Sequence, residues 1–357
     1  MKIIIKKMKV YIFRPGQLGD ALTMVPVIYI IRKLHPESNF ILITDKPAKS
    51  HYVFSWEVFK NFDFFEKVIP YSKNFCDMIK IFIELRKNPD SILYLLAVKT
   101  KWGKLRDKIF FRYICGVEKI VGLKESHTNL FRRKSNGYLV KALRDSEKFI
   151  RIVERYHNVK FDRPEGCLLP INNHIVHKVN QIFENVQSEL NKSSYLISIC
   201  AGTKMPAKKW FSDRYAEIAN RLIEKKNAFL IFLGGKEEFY EIETLITNIR
   251  KKNKVLNLVG KTSVIESAEI LRRSSLYLGN DTGTMHLAAT VGTKCVTIFS
   301  SRGVFGRHIP YGKGHVNIIK RVECEGCNLE VCIEKNMECL RQIEVEEVWA
   351  ILNDILL

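Results

Sequence analysis

The stretch VYIFRPGQLGDALTMVP, residues 10–26, decides the fold. An apolar run reads as a strand, Gly16 and Gly19 make a turn, and an apolar segment of helical character follows from Ala21 to about Leu34. Strand, glycine turn and helix start form the layout that cradles a phosphate. A phosphate loop, however, ends in Lys followed by Ser or Thr, and this one ends in Asp20. A carboxylate there is badly placed to bind phosphate and well placed to take a proton from an attacking hydroxyl. It is also a good cap for the helix behind it, and the two readings stand side by side.

The same alternation runs along the chain. Residues 40–44 (FILIT) and 91–98 (SILYLLAV) read as strands, with a helix over 76–87 between them. The pattern breaks at residues 162–173, DRPEGCLLPINN, where two prolines and a glycine mark a linker. One long amphipathic helix is expected from there to about Leu190. Strands then recur at residues 195–200, 228–235, 276–279 (with Asn280 and Asp281 making the turn) and 294–300, separated by helices over 213–226 and 264–274. Strands separated by helices imply parallel pairing with right-handed crossovers. The expectation is an α/β chain of two Rossmann-like domains, residues 1–170 and 171–357, whose doubly wound sheets face each other across a cleft.

Bulk properties narrow the function. A chain of 357 residues, 46% hydrophobic and 27% charged, has material for two globular cores. No apolar run reaches the roughly 20 residues of a membrane helix. The N-terminal MKIIIKKMK has too short an apolar stretch for a signal peptide, which points to the cytoplasm. The net charge of +20 predicts salt-sensitive, anionic partners: nucleic acid, an anionic membrane face or a phosphorylated substrate. No zinc-finger or RNA-recognition signature supports nucleic acid.

Three stretches of the second half carry polar groups at strand ends. YLGNDTGTMHLAATVGT, residues 277–293, runs from a strand through Asn280 and Asp281 to a helix starting near Thr282 and Gly283, with His286 in its first turn. A helix start presents unpaired N–H groups and a partial positive charge, a diphosphate site or else an ordinary cap. CAGTKMPAKKWFSDRY places Thr203 at a strand end and Lys208 just before Trp210, where a lysine neutralises charge on a leaving phosphate. FLGGKEEFYE ends a strand in Gly234 and Gly235 and opens a helix with Glu237 and Glu238, either of which can grip a ribose hydroxyl. In one parallel sheet all three converge on one edge.

The blocks GQLGDALTMVP, KKWFSDRYAEIA, GKTSVIESAEIL and GNDTGTMHLAATVGT occur in the order and spacing of glycosyltransferase family 9, and the chain resembles that family over nearly its whole length. The family comprises ADP-heptose:lipopolysaccharide heptosyltransferases and their relatives. The resemblance implies a GT-B fold and inverting, metal-independent transfer from an ADP-sugar. It also implies a lipid-anchored saccharide acceptor at the inner face of the bacterial inner membrane. By position, Asp20 matches the family's proposed base, and Lys208 the lysine that contacts donor phosphate. Asp281, Thr282, Gly283 and His286 match the donor block. Glu238 is the expected ribose contact, and Lys261 and Thr262 align near the adenine. No cofactor is expected, and no Asp-x-Asp metal motif is present.

Gly16 and Gly19 would let the acceptor approach Asp20. Residues 101–134 hold ten Lys or Arg against three acids. Within them Arg106 and Arg112 are acceptor candidates, and Trp102, Phe110 and Phe111 raise the alternative of an anionic membrane-surface patch. Cys324, Cys327, Cys332 and Cys339 have the makings of a zinc site, but their spacing is tight and no metal is expected. Two other functions remain to be excluded: a non-catalytic basic protein binding membrane or nucleic acid, and a nucleotide-sugar epimerase on the same fold.

Overall fold

The computed structural model describes residues 7–45, 53–72, 74–97, 100–123, 133–135, 137–333 and 335–357. The N-terminal MKIIIK and residues 124–132 of the basic stretch lie outside the described residues. The chain divides into two compact units. One holds the described residues up to 123 together with Leu143–Pro164; the other holds residues 133–142 and Glu165–Leu357.

In the first unit the elements are β1 (Lys9–Phe13), α1 (Leu18–Leu34), β2 (Asn39–Asp45), α2 (Ser55–Phe59), β3 (Phe65–Tyr71), α3 (Phe75–Arg86) and β4 (Ile92–Leu95). They are followed by α4 (Lys101–Asp107), which continues into a π-helical turn over Lys108–Ile114, then β5 (Lys119–Val121) and α5 (Asp145–His157). The strands form a parallel sheet in the order β3-β2-β1-β4-β5. Its topological switch point lies between β1 and β4, so the glycine turn after β1 sits where open α/β sheets bind ligands. Helix α1 is buried over residues 21–28, apolar almost all round, because α2 and α5 pack on it as well as the sheet. It starts at Leu18, earlier than Ala21. The Gln17 backbone N–H donates to Asp20 Oδ2 at 3.2 Å, so Asp20 lies inside the first turn as its acidic third residue.

The second unit contains α6 (Asn173–Glu184), α7 (Gln187–Asn191), β6 (Tyr195–Cys200), α8 (Ser212–Lys226), β7 (Ala228–Phe232), α9 (Phe239–Thr247) and β8 (Val255–Asn257). After these come α10 (Val264–Arg273), β9 (Leu276–Asn280), α11 (Gly283–Thr290), β10 (Cys295–Phe299), β11 (Val316–Ile319), α12 (Glu338–Arg341) and α13 (Val345–Ile355). The long helix expected up to Leu190 is two helices, α6 and α7, broken at Asn185 and Val186. The parallel sheet runs β11-β10-β9-β6-β7-β8, with its switch point between β6 and β9. The core under α8 and α13 is apolar: Trp210, Tyr215, Ile218 and Leu222 meet Ile197, Leu230 and Val296 of the sheet.

A strap formed by the described residues 133–135 and 137–142 belongs to this second unit although it precedes α5. Leu139 N–H donates to the buried Glu325 carboxylate, Arg133 donates to Glu325 O at 3.1 Å, and Arg321 to Leu139 O at 2.7 Å. The strap ends with Ala142 N–H on Phe305 O at 2.8 Å. A Cβ at Gly306 would overlap Ala142 O, so the strap's seat requires glycine there.

Candidate functional site

In the second unit the turns after β6, β7 and β9 converge on one sheet edge. Lys208 Nζ bonds Asp281 Oδ2 at 2.7 Å and Asp281 O at 3.3 Å. The lysine side chain is 20% exposed and the aspartate 13%. Burial alone would raise the Asp281 pKa. The Lys208 ammonium, with His308 and His286 nearby, overcomes this and holds the carboxyl below the usual carboxylate range. The two residues matched to the donor site are therefore partners of each other. Asp281 orients the ammonium at the N-terminus of α11, where the helix amides and Lys208 together form a positive rim. A carboxylate is a poor direct ligand for phosphate, and the Asp281 carboxylate is taken up by Lys208.

Around this pair, Thr282 is the residue before α11, and its Oγ1 lies 3.5 Å from Tyr277 Oη and 3.9 Å from Cys200 Sγ. Gly283 opens the helix and His286 is buried in it. Thr203 Oγ1 accepts from Met205 N–H at 3.3 Å, tightening the β6 loop.

Glu238 lies beneath that loop. A Cβ on Gly202 would stand 2.5 Å from the Glu238 carboxyl carbon, and one on Gly234 would overlap its Oε2. The two glycines thus make room for the carboxylate, which accepts from Gly235 N–H at 2.9 Å. Burial, reinforced by Glu237 and Glu241 against the pull of the Gly235 N–H and Lys204, pushes its pKa up to about 7. Glu237 instead pairs with Lys204 at 2.9 Å on the surface. Lys261 donates to Asn257 O at 3.0 Å and lies 5.5 Å from the Phe239 ring centre. Thr262 Oγ1 lies 2.7 Å from Ser267 Oγ.

Asn280 was read as a turn residue and is the fully buried last residue of β9. Its Oδ1 accepts from Trp210 N–H at 3.2 Å and Tyr215 O–H at 3.0 Å, while Nδ2 donates to Ala201 O at 2.8 Å. One side chain ties the β6 loop that carries Lys208 to the strand that leads into Asp281. A buried asparagine with three bonds leaves no local sequence signature. His308, from the loop after β10, comes near Asp281 only through the fold, so no spacing in the sequence points to it.

In the first unit, Asp20 Oδ1 is 3.0 Å from Arg14 Nη2, and the same guanidinium donates to Asp20 O at 2.8 and 2.9 Å. The carboxylate is 46% exposed, so it is held and still open to solvent. Gly16 has φ +137°, and a Cβ there would come within 2.8 Å of Asp20, so this glycine clears space for Asp20 itself. Gly19 lies in the first turn of α1, and its carbonyl accepts from Thr23 Oγ1 at 2.7 Å. A second acid, Asp45 at the end of β2, accepts from Gly16 N–H at 2.6 Å. Burial raises its pKa, and the Asp20 charge adds to the rise against Gly16 N–H and Arg14.

Arg106, on α4, bonds the buried Asp107 at 2.9 Å. Arg112, on the π turn, folds back onto Val117 O and Glu118 O. Phe111 is buried in the core, which takes it out of any surface patch, while Phe110 is half-buried beside it and Trp102 of the expected aromatic trio stands in solvent. All nine cysteines are free. Among the described residues no group of three or more His, Cys, Asp or Glu is arranged to hold a metal ion, the four-cysteine tail included.

The chain is 22% identical over 348 residues to a lipooligosaccharide heptosyltransferase 2 of Campylobacter jejuni, covering 96% of each protein. In three dimensions it superimposes on a family 9 glycosyltransferase of Veillonella parvula with a TM-score of 0.74 at 17% identity, covering 98% and 97% of the two chains. The E. coli ADP-heptose lps heptosyltransferase II gives a TM-score of 0.67 at 16% identity, with 98% of each chain covered. These structural likenesses establish the fold, an α/β architecture of the GT-B type with two doubly wound parallel sheets. The model of the family described as glycosyltransferase family 9 (heptosyltransferase) matches residues 111–338. That match takes in every donor-side turn described above; the chain belongs to glycosyltransferase family 9, and the protein is a glycosyltransferase.

Proposed function

We propose that the protein transfers a heptose from ADP-heptose to a lipopolysaccharide inner-core acceptor, with inversion at the anomeric carbon. The observation that carries this reading is the Lys208–Asp281 pair at the N-terminus of α11, on the switch point of the second sheet. Such a rim suits a diphosphate leaving group. The lipooligosaccharide and lps heptosyltransferases that the chain resembles support the sugar and the acceptor class.

In the proposed reaction an acceptor hydroxyl attacks the anomeric carbon from the face opposite the diphosphate. The new C–O bond forms as the bond from that carbon to the diphosphate oxygen breaks, and the hydroxyl proton passes to Asp20. The electron pair of the broken bond stays on ADP, whose growing charge is met by Lys208 and the α11 amides. Glu238 accepts hydrogen bonds from the ribose, with Lys261 and Thr262 near the adenine and Thr203 and His286 beside the sugar diphosphate. Gly16, Gly19, Arg106 and Arg112 are assigned to the acceptor side. The protein works at the cytoplasmic face of the inner membrane, where a lipid-anchored acceptor is presented.

The test is ADP release and product mass with ADP-heptose and a heptose-deficient lipopolysaccharide. Release that depends on the acceptor, with a product one heptose heavier and of inverted configuration, supports the proposal. Conversion of the nucleotide sugar with no acceptor present would instead favour an epimerase, and turnover only with UDP- or GDP-sugars would refute the donor.

A further inference from the structure

Helix α3 and the α4–π segment lie on the same face of the first sheet. Ile81 and Leu85 of one, and Phe111 and Cys115 of the other, bury against Tyr11, Phe13, Leu93 and Leu95. Arg86 Nε joins the two by donating to Ile114 O at 3.1 Å. With their inward residues used up on the sheet, both still carry apolar residues outward. On α3 these are Phe75, Ile79 and Ile83, four residues apart; on the second segment they are Trp102, Leu105, Ile109 and Tyr113. All seven are exposed, Phe75 by 79% and Trp102 by 80%. A soluble protein rarely leaves such a stripe open without a use for it.

The charge around the stripe is one-sided. Between residues 101 and 114 there are five basic residues and one acid, Asp107, which is buried and bonded to Arg106. On α3, Asp77 is buried and Glu84 is held by Lys9 and Lys67, while Lys80 is exposed. A second copy of the chain docking face to face would set these cations against each other. Nucleic acid would welcome the cations, and Phe75, Trp102 and Tyr113 offer rings for a base to stack on, but the exposed aliphatic side chains Ile79, Ile83, Leu105 and Ile109 between them find no match on a phosphate backbone. Acyl chains and anionic headgroups match both halves of the pattern.

We propose that this α3/α4–π face docks the first unit onto an anionic lipid bilayer surface, with Trp102, Ile109, Phe75 and Ile79 entering the interface and Lys101, Lys104 and Lys108 meeting the headgroups. The proposal deepens the acceptor reading and rests on it only in that a lipid-anchored acceptor gives such a face its purpose.

The experiment is co-sedimentation of the full chain with vesicles of phosphatidylglycerol and phosphatidylcholine in equal parts, against phosphatidylcholine alone, at low and high salt. Binding is expected to the anionic vesicles only, and high salt should release it. Trp102→Ser with Ile109→Ser should lower the partition coefficient about tenfold or more, and Lys101→Glu with Lys108→Glu by about 30-fold or more. Tyr240→Ser, on the exposed surface of the second unit, should leave it unchanged. Binding to neither vesicle, equal binding to both, variants that bind like the parent, a dimer formed through this face, or tighter binding to single-stranded DNA would each overturn the proposal. Transfer to a delipidated, soluble acceptor keeps the two readings apart. Its absence in a protein that still binds vesicles counts against the enzyme assignment and leaves the docking face standing.

Discussion

The turn after β1 and the turns after β6 and β9 hold the same place in their respective sheets, the switch point of a parallel α/β layer. Their chemistry is opposite. The first gathers two carboxylates, Asp20 and Asp45, around a single guanidinium, Arg14. The second gathers an ammonium and helix amides, with one carboxylate, Asp281, tied to the ammonium. Topology therefore fixes where a ligand edge lies, and a handful of side chains decides which charge that edge presents.

The sharpest way to break this contrast is at Asp20. Asp20→Ala should lower kcat by about 10²–10⁴-fold while ADP affinity, measured by calorimetry, stays within error. A variant with normal turnover would leave the first turn without a chemical role. Next in size, Lys208→Met should cost about 10²–10³-fold in kcat. Adding Asp281→Asn distinguishes two roles for the lysine. If it meets diphosphate charge, the double variant stays impaired; full recovery would mean that Lys208 merely neutralises Asp281.

Glu238 sharpens the contrast through pH. Its folded pKa of about 7 lies above its ordinary value of 4.5, so the folded chain holds a proton that the unfolded chain has already lost. Its contribution is fully present at low pH and is lost as pH rises through 7, a change of about 3 kcal/mol. Urea titrations of Glu238→Gln should match the parent near pH 4 and exceed it at pH 8; parallel curves would refute the shift. The smallest effect is expected at Asn280. Asn280→Ala strands Trp210 N–H and Tyr215 O–H in the core and should cost about 1–3 kcal/mol, seen as a lower Tm.

Much of this was legible in the sequence. Central strands such as β1, β6 and β9 are buried on both faces, so they read as unbroken apolar runs, and the turns behind them carry their polar residues in plain view. Edge strands were harder. β3 buries only Ile69 fully and contains Pro70, tolerated because β3 pairs on one side only, so it offers no apolar run to read. The short β5, β8 and β11 offered too few residues for any period. In the site, Lys208 and Asp281 were each found, but their pairing spans 73 residues and had no local trace. Asp45 and Asn280 were missed because a strand-terminal acid or amide looks the same whether it faces water or holds a neighbouring turn. The outward apolar stripe of α3 was hidden by the ordinary amphipathic helix around it.

The strap of residues 133–142 has a consequence for the order in which the protein is made. Arg133 reaches a partner 192 residues further along, and Leu139 one that is 186 further. At a ribosomal pace of about 5–20 residues per second, the strap emerges roughly 10–40 s before its seat exists. The amino-terminal sheet and α5 can close in that interval, while the segment running between them waits on the newborn chain. Assembly of the larger sheet is thus the event that retires this tether.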